Sequence, residues 1–341
     1  MQKNVRKRRN RKKKKKNLLL EFIVITVSIV AVFFILAFAV FMFTIGGLNK
    51  ENLSTENLSV NEVSDEYKDM KIKNIALFGT DSRENIDGGR SDAIIIASVN
   101  PKNGEIKLIS IARDTYVDIP DHGQTKINHA YSYGGAELAV KTLNSNFGLD
   151  ITDFVSVNFE QLTEIVDILG GVDVEITESE RQEFNRIIAE TTNETLSESG
   201  MVHLNGAQTL CYSRIRKSDS DDARTERQRE VLELIFNKMK DVSPLQYPSI
   251  VRELMPYVTT SLSTDEILQL ASVVITKNPT MQTCGLPNEY IDHTGGYIGE
   301  LWCYSYDLNT ASDMIKKFIY DDIPFSEYNN PVEESQPTET N

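Results

Sequence analysis

Two short polar motifs beside apolar runs contain the residues best suited to chemistry in the first third of the chain. Asp81 and Arg83 come directly after one apolar run, and Arg90 and Asp92 come directly before the next. If the two runs form neighbouring antiparallel strands, the two aspartates meet at one end of the sheet. Adjacent carboxylates repel each other unless a cation or a proton lies between them, and carboxylates with phosphate oxygens are a favourable ligand set for Mg²⁺. The alternative is that both aspartates are turn residues facing water.

A second set of charged positions follows a third apolar run. Arg113 and Asp114 come directly after this run, and Lys126 lies further on in the sequence Thr-Lys-Ile-Asn-His. We treat Arg113 and Lys126 as candidate ligand-binding cations. The alternative for Arg113 is a surface ion pair with Asp114.

The most informative cluster is an arginine-rich segment in the second half of the chain. Arg214 and Arg216 lie in Tyr-Ser-Arg-Ile-Arg-Lys, and Arg224 and Gln228 lie in Ala-Arg-Thr-Glu-Arg-Gln after an acidic stretch. Residues two apart on an extended segment point the same way, and residues four apart share one side of a helix. The planar guanidinium group suits bidentate recognition of phosphate. The alternative is a solvated charged helix whose arginines pair with neighbouring acids.

These clusters together indicate phosphoryl chemistry. The spacing of the four histidines matches no zinc motif, and no Walker A sequence occurs. No Ser/His/Asp or Cys/His set is evident either. The sequence therefore argues against a zinc hydrolase and against a nucleotide-driven pump.

Apolar runs and helical periodicities predict the elements that position these side chains. Strands are predicted at residues 72–78, 93–99, 105–111, 154–159, 172–176 and 281–286, and an Asn-Pro-Lys-Asn-Gly turn predicts a hairpin between the second and the third. Helices are predicted at residues 131–147, 162–169, 205–212, 224–239, 264–275 and 309–320. Residues 178–200 give no clear prediction. The mixture favours an α/β fold, a layered α-β-α sandwich with a central mixed sheet.

The N-terminal region is first basic and then apolar. Eleven Lys and Arg residues lie within residues 1–16, and residues 22–46 carry no charge. As a helix the uncharged run would reach ~37 Å, enough to cross a hydrocarbon core of ~30 Å. The positive-inside rule then places the N-terminus in the cytoplasm and the later residues outside the cell membrane. A nucleic-acid-binding arm is the alternative for the basic run, but the juxtamembrane position accounts for it, so no nucleic-acid partner is expected.

We therefore predict five regions along the chain. They are a cytoplasmic basic tail (1–16), a single transmembrane helix (17–46), an extracellular stalk (47–70), a catalytic domain (71–327) and a disordered tail (328–341).

From residue 75 to residue 232 the sequence resembles the LytR-CpsA-Psr family of bacterial envelope proteins. The matching segments occur in family order: NIALFGTDSR, GRSDAIIIASVNP, LISIARDTYVDIP, TKINHAYSYGG, VNFEQLTEIVDILGGVDV and LNGAQTLCYSRIRKSDSDDARTERQREVLEL. The resemblance implies an enzyme that transfers a glycopolymer from a polyprenyl-pyrophosphate carrier to peptidoglycan, forming a phosphodiester link. Wall teichoic acids and capsular polysaccharides are typical cargoes of such proteins.

The resemblance also implies roles for individual residues. Asp81 and Asp92 would hold Mg²⁺ against the pyrophosphate, and the prenyl chain would lie in an apolar tunnel between the sheet and the helices. Asp81, as proton acceptor, and Arg113, as a stabiliser of charge on the leaving phosphate, are the candidate catalytic residues. The phosphate site would be lined by Arg83, Arg90, Arg113, Lys126, Arg214, Arg216, Arg224 and Gln228. A lipid-pyrophosphate hydrolase and a non-catalytic sensor of prenyl phosphates stay open as alternatives.

Overall fold

A seven-stranded mixed sheet lies at the centre of this computed structural model, which describes residues 49–80, 89–190, 194–215, 221–243, 246–277 and 279–328. The strands are β1 (Asn49–Lys50), β2 (Lys73–Thr80), β3 (Ser91–Val99), β4 (Glu105–Ile111), β5 (Tyr116–Ile119), β6 (Gly123–Lys126), β7 (Asp153–Asn158), β8 (Val172–Ile176), β9 (Gly200–Leu204), β10 (Thr259–Thr260), β11 (Thr280–Leu286), β12 (His293–Ile298) and β13 (Leu301–Tyr306). The α-helices are α1 (Asp65–Lys68), α2 (His129–Phe147), α3 (Phe159–Ile168), α4 (Glu178–Ile188), α5 (Gly206–Ser213), α6 (Asp221–Asp241), α7 (Tyr247–Leu254), α8 (Thr264–Lys277) and α9 (Leu308–Asp321).

The strand order brings the ends of five strands to one side of the sheet. The order is β1-β10-β7-β2-β3-β4-β11, in which β3 is antiparallel to both β2 and β4, while β7 runs parallel to β2 and β11 runs parallel to β4. Four strands therefore finish where β3 begins. We call this side, marked by Thr80, Ser91, Ile111, Asn158 and Leu286, the site edge. Ligands in α/β sheets gather at the carboxyl ends of strands.

Alternate residues of the central strands serve two different cores. In β3, Ile94 and Ile96 belong to a core that also contains residues of α2 and α9, whereas Ile95 and Ala97 belong to a smaller cluster that meets Phe236 of α6. Successive side chains of a strand point to opposite faces, so the near-continuous apolar run of β3 means that both faces of the sheet are covered. The prediction of a mixed central sheet flanked by helices is confirmed.

A further apolar cluster holds β8, β9 and the helices α3 to α6 together, with Phe184 completely buried at its centre. Three of its helices begin with a capping box, in which the N-cap side chain and the third residue of the helix bond to each other's backbone N–H. These pairs are Asn158–Gln161, Thr177–Glu180 and Asn205–Gln208. The segment at 178–200, which carries no clear sequence pattern, thus begins with the capped helix α4.

The region predicted as a stalk packs against the domain from residue 49 onward, which corrects that prediction. The side chain of Leu58 is completely buried in the main core, and the Asn144 amide donates a hydrogen bond to the Leu58 carbonyl at 2.9 Å. The backbone N–H of Asn61 donates to the Leu149 carbonyl at 3.0 Å. Hydropathy periodicity does not detect such packing, because the contacts come from isolated side chains such as Leu53 and Leu58 and from backbone hydrogen bonds within a polar segment.

The C-terminal boundary shifts in the same direction. Tyr328, placed at the start of the disordered tail, packs against the main core, and its hydroxyl bonds to the Asp313 carboxylate at 2.8 Å. The predicted basic tail and transmembrane helix lie outside the described residues. In the part of the chain that is described, the helices are too short or too polar to cross a bilayer.

We expect Leu58→Ala to lower the free energy of unfolding by about 2–5 kcal/mol, because it leaves a cavity in the main core. Val60→Ala is the matched control, since the Val60 side chain is 42 % exposed and little burial is lost. Denaturant unfolding of the full chain in detergent micelles measures both. Equal stability of the two variants would mean that this segment does not belong to the folded core.

Candidate functional site

An ion pair between Asp92 and Arg113 lies at the site edge. The Arg113 guanidinium donates from Nη1 to the Asp92 Oδ1 at 2.6 Å, and the two side chains are only about one-fifth exposed. The register that pairs Ile95 with Ser110, carried three residues further, places Asp92 opposite Arg113. The contact therefore continues the side-chain pairing of β3 and β4 into the turn that follows β4, where Arg113 lies.

A second ion pair, between Asp114 and Lys126, lies next to Arg113. The Asp114 carboxylate lies 3.6 Å from the Arg113 Nε and 2.8 Å from the Lys126 Nζ, and it is 8 % exposed. Backbone hydrogen bonds from Asn128 to the Arg113 carbonyl and from Ile127 to the Thr115 carbonyl hold this turn against the end of β6. Arg113 is therefore not part of a simple surface pair with Asp114, which was the alternative interpretation of the sequence.

His129, the first residue of α2, lies close to the cations of the site edge. His129 is 8 % exposed, and its Nδ1 lies 2.9 Å from the Thr125 hydroxyl. Burial lowers the pKa of His129, and the positive charges of Arg90 and Lys126 lower it further. The Asp114 carboxylate opposes this effect, but the net shift of the pKa is downward and favours the neutral ring. Sequence reasoning did not select His129, although it lies only three residues after Lys126.

Arg214, at the end of helix α5, lies near the same edge. It follows the last residue of α5, and its guanidinium lies over the Phe159 ring, with Cζ 4.0 Å from the ring centroid. Phe159 comes directly after β7, whose last residue pairs with Thr80, which in turn pairs with Ser91. Two strand spacings, roughly 10 Å, thus separate the Phe159 backbone from the start of β3, where Asp92 lies.

An apolar pocket opens between the sheet and the helices α3 and α6 next to Arg214. Its volume is about 740 Å³, including space continuous with solvent. The lining residues are Leu77, Phe78, Gly79, Ala93, Ile95, Val155, Val157, Asn158, Phe159, Leu162, Ser213, Val231 and Leu232. A side chain at Gly79 would come within 2.9 Å of the Ala93 Cβ, so glycine is needed for the close approach of β2 and β3 at this wall. The sequence implied such a pocket without indicating which residues line it.

The other predicted site residues are described only in part. Arg224 and Gln228 lie four residues apart near the start of α6. Asp81, Arg83 and Arg216 lie outside the described residues. Within the described ranges, no three His, Cys, Asp or Glu side chains are grouped closely enough to hold a metal. Of the predicted metal ligands, only the Asp92 carboxylate can be placed.

A protein-family model described as the LytR_cpsA_psr family matches residues 39–318. The chain belongs to this family. A relative from Enterococcus faecalis, the polyisoprenyl-teichoic acid–peptidoglycan teichoic acid transferase TagU, is 36% identical over 210 residues, covering 58% of this chain and 64% of that protein, just under two thirds of its length. Among solved structures, TagT bound to LI-WTA matches 80% of this chain and 98% of its own with a TM-score of 0.64 and 26% identity. Bacillus subtilis TagT matches 80% and 99% with a TM-score of 0.63 and 25% identity.

One arginine of the LytR_cpsA_psr arginine-rich segment has a structural role that sequence reasoning missed. Arg227 is 6 % exposed, and its Nε donates to the Glu180 carboxylate of α4 at 3.0 Å. Its Nη1 donates to the Ile215 carbonyl at 3.2 Å. Burial alone would raise the pKa of Glu180, but hydrogen bonds from Thr177 and Arg227 outweigh it and lower the pKa. Arg227 thus ties the residue after Arg214 to α4 and α6.

We expect Arg227→Ala to lower the free energy of unfolding by about 3–5 kcal/mol, because it leaves the Glu180 carboxylate buried without its charge partner. Arg214→Ala removes an exposed arginine that stacks on an aromatic ring, worth roughly 0.5–1 kcal/mol. Denaturant unfolding of both variants measures the difference. Similar losses would contradict the division into one structural and one ligand-facing arginine.

Proposed function

We propose that this chain transfers a glycopolymer, of the teichoic acid or capsular polysaccharide type, from a polyprenyl-pyrophosphate carrier to peptidoglycan, forming a phosphodiester link. The observation that carries the proposal is the combination of a cation-rich site edge with an adjoining apolar pocket. A ligand that fits both must join an anionic group to a long apolar chain. The names of the Enterococcus faecalis relative and of the TagT structure support the same kind of substrate.

The apolar pocket would receive the prenyl chain. Its walls are aliphatic and aromatic side chains such as Leu77, Ile95 and Leu162, and their burial against a hydrocarbon is favourable by about 25 cal/mol for each Å² removed from water. Ser213 and Asn158 stand among the few polar lining residues. Because Arg214 directly follows Ser213, the phosphate end of the carrier would point toward Arg214.

The cations would stabilise the diphosphate. In phosphoryl transfer the protein contributes mainly positioning and charge stabilisation, and charged donors aimed at developing negative charge are the largest contribution in many enzymes. We assign Arg113 to the leaving prenyl phosphate, with Asp92 fixing the orientation of its guanidinium. Arg90, Lys126 and Arg214 would neutralise the remaining oxygens, and we extend this role to Arg83, Arg216, Arg224 and Gln228.

The reaction would proceed by in-line attack. The oxygen of a peptidoglycan hydroxyl bonds to the phosphorus that carries the polymer, while the bond from that phosphorus to the oxygen of the prenyl phosphate breaks. The hydroxyl proton passes to a carboxylate, for which we propose Asp81. Asp81 and Asp92 would hold Mg²⁺ through carboxylate oxygens, the ligands that this ion prefers, and the ion would add positive charge at the diphosphate.

Transfer by the purified full chain tests the proposal. With a lipid-linked polymer, Mg²⁺ and peptidoglycan oligomers, polymer should become joined to the glycan. Arg113→Ala should slow this by about 10²–10³-fold, the cost typical of one lost charge-stabilising donor. Arg181→Ala is the matched control, because the contacts of Arg181 are to Glu178 and to the Leu196 carbonyl and not to the site edge, so the rate of transfer should stay unchanged. Phosphate release without joining would support a hydrolase, and tight binding without any reaction would support a sensor.

The same assay tests the metal. Asp92→Asn keeps an acceptor for the Arg113 guanidinium but removes the charge that a divalent cation needs. The concentration of Mg²⁺ for half-maximal rate should therefore rise at least tenfold, while the free energy of unfolding changes far less. A parallel loss of both would mean that Asp92 is purely structural.

We also propose that residues 17–46 anchor the chain in the cell membrane with the domain outside, where a lipid-linked donor and peptidoglycan meet. Protease added to intact protoplasts should then remove everything beyond about residue 50. Protection of the domain would reverse this orientation.

A further inference from the structure

The hairpin of β12 and β13 carries a row of aromatic side chains on one face. Cross-strand pairing sets His293 opposite Tyr306, Gly295 opposite Tyr304 and Tyr297 opposite Trp302. Paired residues project from the same face of a hairpin, and so do residues two apart. All six positions therefore share one face, which we call the aromatic face.

Two rings of this face, those of Trp302 and Tyr304, pack against each other. Trp302 meets the edge of Tyr304 with ring centroids 4.7 Å apart and planes at 78°. A Cβ at Gly295 would come within 2.9 Å of the Trp302 indole, so the absence of a side chain there allows the indole to lie across the opposite strand. Trp302 and Tyr304 therefore form one packed pair rather than two separate exposed rings.

The outer part of the aromatic face is exposed. The Tyr297 side chain is 76 % exposed, the highest fraction among the large hydrophobic residues in the part of the chain described. Gly295 is exposed beside it, and Trp302 is half-buried. Tyrosine and tryptophan presented on one surface are residue types enriched at binding interfaces.

The inner end of the hairpin is joined to the candidate phosphate site. Tyr304 forms a bridge with Thr115, and its backbone N–H donates to the Asp114 carbonyl at 3.0 Å. The Tyr306 hydroxyl lies 3.2 Å from the Thr115 hydroxyl. The aromatic face therefore adjoins the turn that holds Arg113 and Asp114, beside Lys126 at the end of β6.

Charge distinguishes the possible occupants of this face. The sequence between Lys277 and Lys316 contains no Lys or Arg, whereas Glu289, Asp292 and Glu300 lie in or beside the hairpin. An acidic tip without cations is repelled by an anionic lipid surface. The acidic residues do not repel an uncharged sugar chain, whose C–H groups pack on the electron-rich face of an aromatic ring.

We propose that the aromatic face is the subsite for the acceptor glycan, with pyranose rings stacked on Tyr297 and Trp302. The inference rests on the proposed function, in which a sugar hydroxyl attacks at the site edge. A glycan lying along the hairpin would be led from Tyr297 toward the turn at Asp114, next to the diphosphate.

Trp302 provides a direct probe, because it is the single tryptophan of the chain. The full chain in phosphatidylglycerol nanodiscs would be titrated with chitotetraose, a β-1,4-linked oligomer of N-acetylglucosamine, in the absence of donor. Trp302 emission should change saturably, and Tyr297→Ala should raise the Kd about tenfold. Tyr290→Ala, which removes a 44 % exposed tyrosine outside the aromatic face, should leave the Kd unchanged.

Binding of a polyprenyl phosphate, measured separately on the same proteins, distinguishes this inference from the proposed function. Prenyl phosphate binding without a response to chitotetraose would overturn the subsite and leave the transferase proposal intact. A response that Tyr297→Ala does not weaken would also overturn it. Glycan binding without prenyl phosphate binding would support the subsite and count against the transferase. Quenching of Trp302 by bromine on the lipid acyl chains would assign the face to the membrane instead.

Discussion

The antiparallel pairing of β3 with both of its neighbours is the constraint on which the candidate site depends. The loop from Asn100 to Gly104 closes the β3–β4 hairpin with a backbone hydrogen bond from Gly104 to the Asn100 carbonyl and with Gly104 at positive φ. That loop determines the register, and the register brings Asp92 opposite Arg113. A slip of one residue would turn Asp92 to the other face of the sheet and leave the guanidinium without its carboxylate. The contact between Asp92 and Arg113 at the site edge thus depends on the turn at the other end of β3 and β4.

Much of this arrangement could be predicted from the sequence. The apolar runs at 93–99 and 105–111 and the turn between them identify the hairpin, and the polar motifs at the strand ends identify the edge. The pairing of Asp92 with Arg113 was not predicted, although counting outward from the turn would have revealed it. Asp92 was instead associated with Asp81, which lies outside the described residues, so that prediction stays untested.

Other features could not be predicted, because burial decides them and burial is a tertiary property. Arg227 follows Arg224 by only three residues in the same charged segment, yet it lies inside the protein against Glu180. Leu58 is one apolar residue in a polar segment, so no periodicity marks it. Tyr297 and Trp302 alternate like residues of any half-buried strand, and only the three-dimensional structure shows that their common face is open.

The ion pairs at the site edge have a consequence for turnover. Arg113 and Lys126 each contact a carboxylate before any ligand arrives, so an incoming anion exchanges partners with Asp92 and Asp114 instead of meeting bare cations. Loss of these ion pairs offsets part of the attraction between the cations and the anion. When the anion leaves, the same carboxylates can pair with the cations again. Competition from these carboxylates weakens the binding of a departing phosphate as much as the binding of an incoming one. In the proposed transfer reaction the lipid carrier must leave after every cycle, and this competition would speed its release.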